Sequence, residues 1–330
     1  MRRTVRQMLG AMSACALLGA APAALSQVVG IATDQQGSLG YNTGQAVAKI
    51  ANQKAKITAR IQPMAGTAAY IPLINRGEVD FGFCNAVEAE YAMTGTGNFE
   101  GKQNPNLRMV GVMFPLITGL AVAADSGVYS IKDLKAKAGG LRIASEYTAS
   151  TIIKYYIMGA LANGGMTYAD FKQVPVSGFV KGMEALGDGL VDVTLISLNS
   201  AGGKKVNAQL RSRGGIQYVS LDDSPEGQKL FKDFLPAANI IHMKANENTP
   251  GLTKAANIIQ IPWVMVTNKA ASEELVYSIT KAVAQNQKEL GATFGAFKRA
   301  NIQKMAPASR VAYHPGALKY YKEAGIPVGK

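Results

Sequence analysis

Histidine and cysteine are almost missing from this chain, two of each among 330 residues, and there is a single tryptophan. His242 and His314 have no His or Cys at ligand spacing, so neither a zinc site nor a histidine-based catalytic pair is suggested. Of the cysteines, Cys15 falls in the amino-terminal apolar run. Cys84, in Phe81-Gly82-Phe83-Cys84, is expected as a small core residue, because a lone thiol can form no intramolecular disulfide. The chain also lacks a Gly-Lys-Ser/Thr phosphate loop and a Gly-x-Ser-x-Gly elbow, and Gly37-x-x-Gly40 with Gly44 is too loose for a dinucleotide fingerprint. No basic stretch interleaved with aromatics points to nucleic acid. The expectation is a protein without metal or cofactor that is not an enzyme.

What is present begins at the amino terminus. Arg2, Arg3 and Arg6 lead into an apolar run from Met8 to Ala24 that ends in small residues, the pattern of a signal peptide over residues 1–26, cleaved to leave Gln27 first. That places the mature chain in the periplasm. The formal charge of +13 falls by three, to +10, without those arginines, and the remaining Lys and Arg are scattered, as on a solvated basic surface. About three hundred residues exceed what one core usually organises, so two lobes are expected.

Two lobes also follow from a repeat. Shifted by 112 positions against itself, the chain matches Ile31-Ala32 with Ile143-Ala144, Ser38 with Ser150, Ala48 with Ala160, Pro63-x-x-Gly66 with Pro175-x-x-Gly178, and Gly77-x-Val-Asp80 with Gly189-x-Val-Asp192. Those are nine identities, where chance gives about three in roughly fifty aligned positions. Each copy reads as strand, polar loop, helix, strand, helix (Thr67 to Asn75; Phe179 to Leu186) and a final apolar strand (Val79 to Phe83; Val191 to Leu195). Strands separated by helices make βαβ units with parallel pairing, hence an α/β class. Leu107 to Val112 and Leu120 to Ala124 read as strands, Ser130-Ile-Lys-Asp133 as a capping box, and Asn257 to Thr267, around Trp263, as a returning strand. Ser272 to Leu290 reads as one long amphipathic helix. The chain therefore crosses between lobes twice: 27–122 with 246–330 as lobe 1, and 123–245 as lobe 2.

In such sheets ligands bind beyond the carboxyl ends of strands, where helix N-termini also point. The repeat puts two loops there, Thr33 to Tyr41 and Ser145 to Thr151. Backbone N–H groups at the helix starts, with the hydroxyls of Ser38, Ser150 and Thr151, suit a carboxylate, although each hydroxyl could simply cap its helix. Asn85, Ser197 and Asn199 lie at equivalent strand ends. Asp80 and Asp192 lie at the opposite edge and read as turn residues.

The motifs Gly37-Ser38-Leu39-Gly40-Tyr41, Gly77-Glu-Val-Asp80, Asn98-Phe99 before Leu107-Arg108, Asp125-Ser-Gly-Val128 with Ile131-Lys-Asp-Leu134, and His314-Pro-Gly-Ala317 with Tyr320-Tyr321 occur in order along the chain. In these the chain resembles the TAXI class of solute receptors for tripartite ATP-independent periplasmic (TRAP) transporters. The resemblance implies a type II periplasmic binding protein fold, with two α/β lobes joined by a double-crossing hinge and the ligand in the interlobe cleft. It implies membrane permease subunits driven by an ion gradient as partners, and a small carboxylate-bearing ligand, such as glutamate or an organic acid, bound by a monomer. The site set expected on both grounds is Thr33, Ser38, Leu39 and Tyr41, Asn85, then Tyr147, Thr148, Ser150 and Thr151, and Ser197 with Asn199. The loops depart from the family pattern at Asp34-Gln35-Gln36 and at Tyr147-Thr148-Ala149. Asp34 and Glu146 are placed either to receive an ammonium group or to face water. A receptor presenting its solute to a membrane sensor would need the same closed form, and an enzyme on this scaffold would have only Glu146, Asp34 and Tyr41 to draw on.

Overall fold

Small residues let the first helix settle onto the first strand. In the computed structural model, which describes residues 28–198, 200–235 and 238–329, β1 (Val28–Thr33) pairs in parallel with β2 (Thr58–Pro63) and β3 (Phe81–Asn85). The helix α1 (Leu39–Lys54) buries Gly40, Thr43, Gly44, Ala46, Val47 and Ile50 against them. α2 (Thr67–Arg76) and α3 (Ala86–Thr94) follow the ends of β2 and β3. The expected signal peptide, with Cys15 and Gln27, lies outside the described residues, as does Asn199.

Two long strands carry the chain across. β4 (Leu107–Ala123) and β10 (Ala256–Asn268) run antiparallel for most of their length. The carboxyl half of β10 also pairs with β3. The other half pairs with β9 (Asn239–Met243), while the end of β4 pairs with β7 (Thr194–Ser197) and β8 (Ile216–Tyr218). One eight-stranded sheet thus serves two halves of the molecule. At its middle Pro115 faces Pro262, with a register shift just beyond, between Trp263 and Val264. Neither proline can donate to the ladder, so the crossing is held least where it must bend. The stretch expected as two strands, 107–112 and 120–124, is one strand over 107–123, because the missing N–H groups oppose each other.

The second half repeats the first. β5 (Arg142–Glu146) pairs in parallel with β6 (Lys172–Val176), Arg142 opposite Lys172 as Gly30 is opposite Arg60. The Ile143–Val193 bridge repeats the Ile31–Phe81 pairing at the same offset. α4 (Ile131–Lys137), opened by the Ser130–Asp133 capping box, precedes β5; α5 (Ile152–Asn163) and α6 (Phe179–Gly187) stand where α1 and α2 do. α7 (Ala201–Gln209) and α8 (Pro225–Phe234) complete this side, and α8 packs on α5. After β10 the chain adds α9 (Glu273–Gln285), α10 (Gln287–Thr293) and α11 (Pro315–Glu323). The helix expected as one unit over 272–290 is two, divided at Asn286 (φ −119°, ψ 36°). There the Asn286 and Gln287 side-chain amides donate to the carbonyls of Ala282 and Val283, competing with the backbone for them. The fold is the bilobal type II arrangement, an α/β protein with its cleft between halves. No described helix is long and apolar enough to cross a membrane.

Candidate functional site

The first turns of five helices converge on one cavity. Leu39 and Gly40 of α1, Thr67 of α2, Glu88 of α3, Ile152 and Ile153 of α5 and Phe179 of α6 all line it, with Asp34, Asn85, Leu116, Ser150, Tyr156, Leu195, Ser197 and Trp263. The gap among these side chains is about 450 Å³ counting the part that opens to solvent, and the cavity within it is about 40 Å³. N–H groups of a first helical turn have no partner within their own helix; in α1 and α3 the Ser38 and Asn85 side chains accept one each, from Tyr41 N and Glu88 N.

The halves meet around this space. Gly202 N donates to Gly37 O at 2.7 Å across the gap, and the Tyr91 and Tyr155 rings lie 5.9 Å apart between α3 and α5. Gly66, just before α2, abuts Ala149 and Ser150 so closely that any Cβ there would collide with the Ala149 carbonyl and the Ser150 hydroxyl. These contacts describe a closed arrangement.

Its first wall is polar and acidic. Glu88 is buried and its carboxylate accepts from Thr67 Oγ1 (2.5 Å), Asn98 Nδ2 (2.9 Å) and Asn85 Nδ2 (3.1 Å), while its own N–H donates to Asn85 Oδ1. Asp34 is half-buried, lies 3.5 Å from the Tyr70 hydroxyl, which donates to the Phe83 carbonyl, and lies against Gly40, where a Cβ would strike Oδ2. Burial pushes the Asp34 carboxyl up to about 7 against the pull of the Tyr70 bond. Burial pushes Glu88 up to about 8, with the Asp34 charge adding to it and the Thr67 and Asn98 bonds opposing. The facing wall, from the second half, is largely apolar: Ile152, Ile153, Tyr156, Phe179 and Leu195, with Ser150 and Ser197. On the cavity lining, the buried Tyr156 hydroxyl and Trp263 Nε1 have no protein partner.

Of the residues expected from the sequence, Leu39, Asn85, Ser150 and Ser197 line this cavity. Thr33 is buried at the end of β1 and donates to the Asp34 carbonyl; Ser38 caps α1 by accepting from Tyr41 N. Tyr41 lines a second interlobe space, of about 430 Å³, beside Gln36, Gly37 and Gly202. Tyr147 turns into the core of the second half, its hydroxyl 2.9 Å from Thr194 Oγ1. Thr148 is exposed, and the Thr151 hydroxyl is buried with no protein partner. Between the two acids whose placement was open, Asp34 is on the cavity. Glu146 is exposed, 3.8 Å from Lys154 Nζ.

Sequence reasoning missed Thr67, Glu88, Tyr156, Phe179 and Trp263. Two of them carried a signal. Thr67 and Phe179 are separated by the repeat offset and follow the matched Pro-x-x-Gly turns, so both open helices aimed at one place. Asp80 and Asp192, read as turn residues, brace the first strands: Asp80 Oδ2 accepts from Gly30 N and Asp192 Oδ2 from Arg142 N, each at 2.8 Å. Among the described residues no group of three or more His, Cys, Asp or Glu is placed to hold a metal ion.

Solved structures share this architecture. One described as a periplasmic transporter superposes with a TM-score of 0.60 at 11% identity over 92% of this chain and 94% of its own. PhnD1 of Prochlorococcus marinus, solved with methylphosphonate, gives 0.54 at 12% identity over 92% of this chain and 100% of its own. MatC of Rhodopseudomonas palustris, solved with malate, gives 0.54 at 13% identity over 83% and 92%. Identities this low speak for the fold alone. The sequence itself goes further, since residues 31–325 match the NMT1-like family. The chain belongs to the NMT1-like family.

Proposed function

We propose that this protein is a periplasmic solute receptor that closes its two lobes over a small carboxylate-bearing solute and delivers it to a membrane permease. The observation that carries the reading is the convergence of five helix starts, with the unpartnered Tyr156 hydroxyl and Trp263 Nε1, on a cavity walled by both halves. Donors without acceptors suit a solute carboxylate, and burial between lobes suits capture without turnover. The solved relatives in fold include binding proteins described with methylphosphonate and malate. The TAXI resemblance of the sequence favours a TRAP-type permease as the partner. We take lobe 1 as residues 28–114 with 263–329, and lobe 2 as the chain between them. In support of this division, β8 and β9 pair with the far ends of β4 and β10, which draws residues 115–122 and 246–262 toward lobe 2.

Two measurements test the proposal. Native mass spectrometry of freshly purified protein should reveal a co-purifying small acid, and a thermal-shift screen of carboxylates should find compounds that raise the melting temperature. Chemical conversion of a compound that binds would overturn the receptor reading.

A further inference from the structure

The cavity's charge is one-sided. Among its described lining residues the ionisable acids and bases are Asp34 and Glu88, and no Lys, Arg or His lines it. We propose that the site selects a solute carrying a protonated amine, received by Asp34 and Glu88, and disfavours solutes with a second acidic group. The inference rests on reading this cavity as the solute site and narrows the solute from carboxylates in general to amine-bearing monocarboxylates.

Three independent features support it. First, no cationic side chain faces the acids on this lining. Three neutral side-chain donors fix Glu88, and Asp34 has only a 3.5 Å approach to the Tyr70 hydroxyl, which donates to the Phe83 carbonyl. Burying carboxylates without a countercharge is unfavourable by several kcal/mol, and an ammonium group between them offsets that cost while strengthening each hydrogen bond. Second, the same lining also holds the opposite requirement. The Tyr156 hydroxyl and Trp263 Nε1 are donors on side chains that are 2% and 6% exposed, and neither has a protein acceptor. A solute that satisfies both requirements carries a donor group and an acceptor group. Third, the remaining wall is Leu116, Ile152, Ile153, Phe179 and Leu195. These side chains suit an uncharged body, and the Phe179, Tyr156 and Trp263 rings favour a nearby cation. A second carboxylate would have to lie against apolar side chains or against Asp34 and Glu88.

The test is titration calorimetry on the processed full-length protein with three matched probe sets. These are neutral α-amino acids, their 2-oxo acid counterparts, and the dicarboxylates glutamate, malate and 2-oxoglutarate. At least one neutral amino acid should bind, with its oxo counterpart weaker by about 10- to 100-fold, the value of one charge-assisted hydrogen bond. Asp34→Asn should weaken the amino acid by a similar factor while leaving any oxo acid within about threefold, and Asp34→Glu should restore part of the loss. Melting of the solute-free variants establishes that they fold. Equal or tighter binding of oxo acids or dicarboxylates, or an amine preference that survives Asp34→Asn, would overturn the inference and leave the receptor reading standing. If no probe of any class binds, the cavity is not a solute site for these acids and both readings fall.

Discussion

The two halves of this molecule share a backbone plan and differ in the chemistry they bring to it. Asp80 holds Gly30 as Asp192 holds Arg142, residue for residue at the 112-position offset. The positions facing the cavity are matched as well: Gly40 with Ile152, Thr67 with Phe179, and Asn85 with Ser197. What has changed is the side chain. The first half contributes acids, an amide and a hydroxyl, and the second mostly contributes hydrocarbon. Scaffold positions are constrained by pairing and packing, whereas cavity positions are constrained only by what they touch. A duplicated frame can therefore present two unlike walls.

The comparison is broken most directly at the seam. Gly66 has an extended backbone (φ 165°) that any residue adopts, so a larger side chain there is opposed only by Ala149 and Ser150 of the other half. Gly66→Val is expected to prop the halves apart and lower solute affinity by at least about 100-fold, roughly 3 kcal/mol, with little change in the melting temperature of the solute-free protein. Small-angle scattering with saturating solute should show the variant failing to contract. Contraction and affinity equal to the parent's would show that the halves do not need this contact.

The acidic wall gives the next largest effect. The unfolded values are 3.8 for Asp34 and 4.5 for Glu88, and burial raises them to about 7 and about 8. The folded protein therefore keeps protons that the unfolded chain has released. Stability without solute is greatest below about pH 4 as far as these groups decide it, and declines as the pH rises through 7 and 8. The neighbouring Tyr70, Cys84 and Tyr156 are also pushed upward by burial and stay protonated through that window. Melting temperature against pH should fall by several degrees between pH 5 and 8, and Asp34→Asn with Glu88→Gln should flatten the slope. An amine-bearing solute reverses the trend, binding more tightly as the carboxyls ionise.

Much of the scaffold was legible in the sequence, and less of the site. The repeat located both βαβ units because strand starts, turns and helix caps need particular residues at particular spacings: Ser38 caps α1, and Ser130 with Asp133 boxes α4. Two long-range features were hidden. Pro115 reads as an interruption until Pro262 is found opposite it, and the division at Asn286 depends on side chains competing for carbonyls one turn back. At the site, loop order was a partial guide. The loop after β5 was expected to face the cleft throughout. Tyr147 instead turns into the core, and it is Ser150 that reaches the cavity. Glu88, Tyr156 and Trp263 sit within regular elements, where nothing local distinguishes a cavity residue from a core residue.

A smaller effect tests whether the scaffold and the walls are separable. Asp192 accepts from Arg142 N and holds its guanidinium at 2.8 Å, on a half-exposed pair, whereas the Asp80 carboxylate accepts from Gly30 N. Replacing either by Ala leaves a strand N–H unpaired, costing about 1–3 kcal/mol, with Asp192→Ala at the upper end. Both are remote from the cavity lining, so solute affinity should stay within about twofold by calorimetry. A large loss of affinity from either would mean that the frame and the walls are coupled.

The smallest expected effect lies where the two loops diverge. At the end of β5, Glu146 (φ 67°) and Tyr147 (φ 48°) both take left-handed backbone, a conformation that costs a residue with a Cβ roughly 1–2 kcal/mol and glycine almost nothing. Tyr147 offsets this by burying its ring and bonding Thr194. Glu146 has only an exposed ion pair with Lys154 at 3.8 Å, an interaction worth about 0–1 kcal/mol. Glu146→Gly should therefore raise the midpoint of urea unfolding by an amount equivalent to about 0.5–1 kcal/mol, whereas Tyr147→Gly should lower it by several times as much. Since Glu146 points to solvent and its counterpart Asp34 lines the cavity, the same Glu146→Gly change should leave solute binding untouched while Asp34→Gly abolishes the amine preference. That contrast between equivalent positions separates a residue kept for the wall from one that merely occupies the frame.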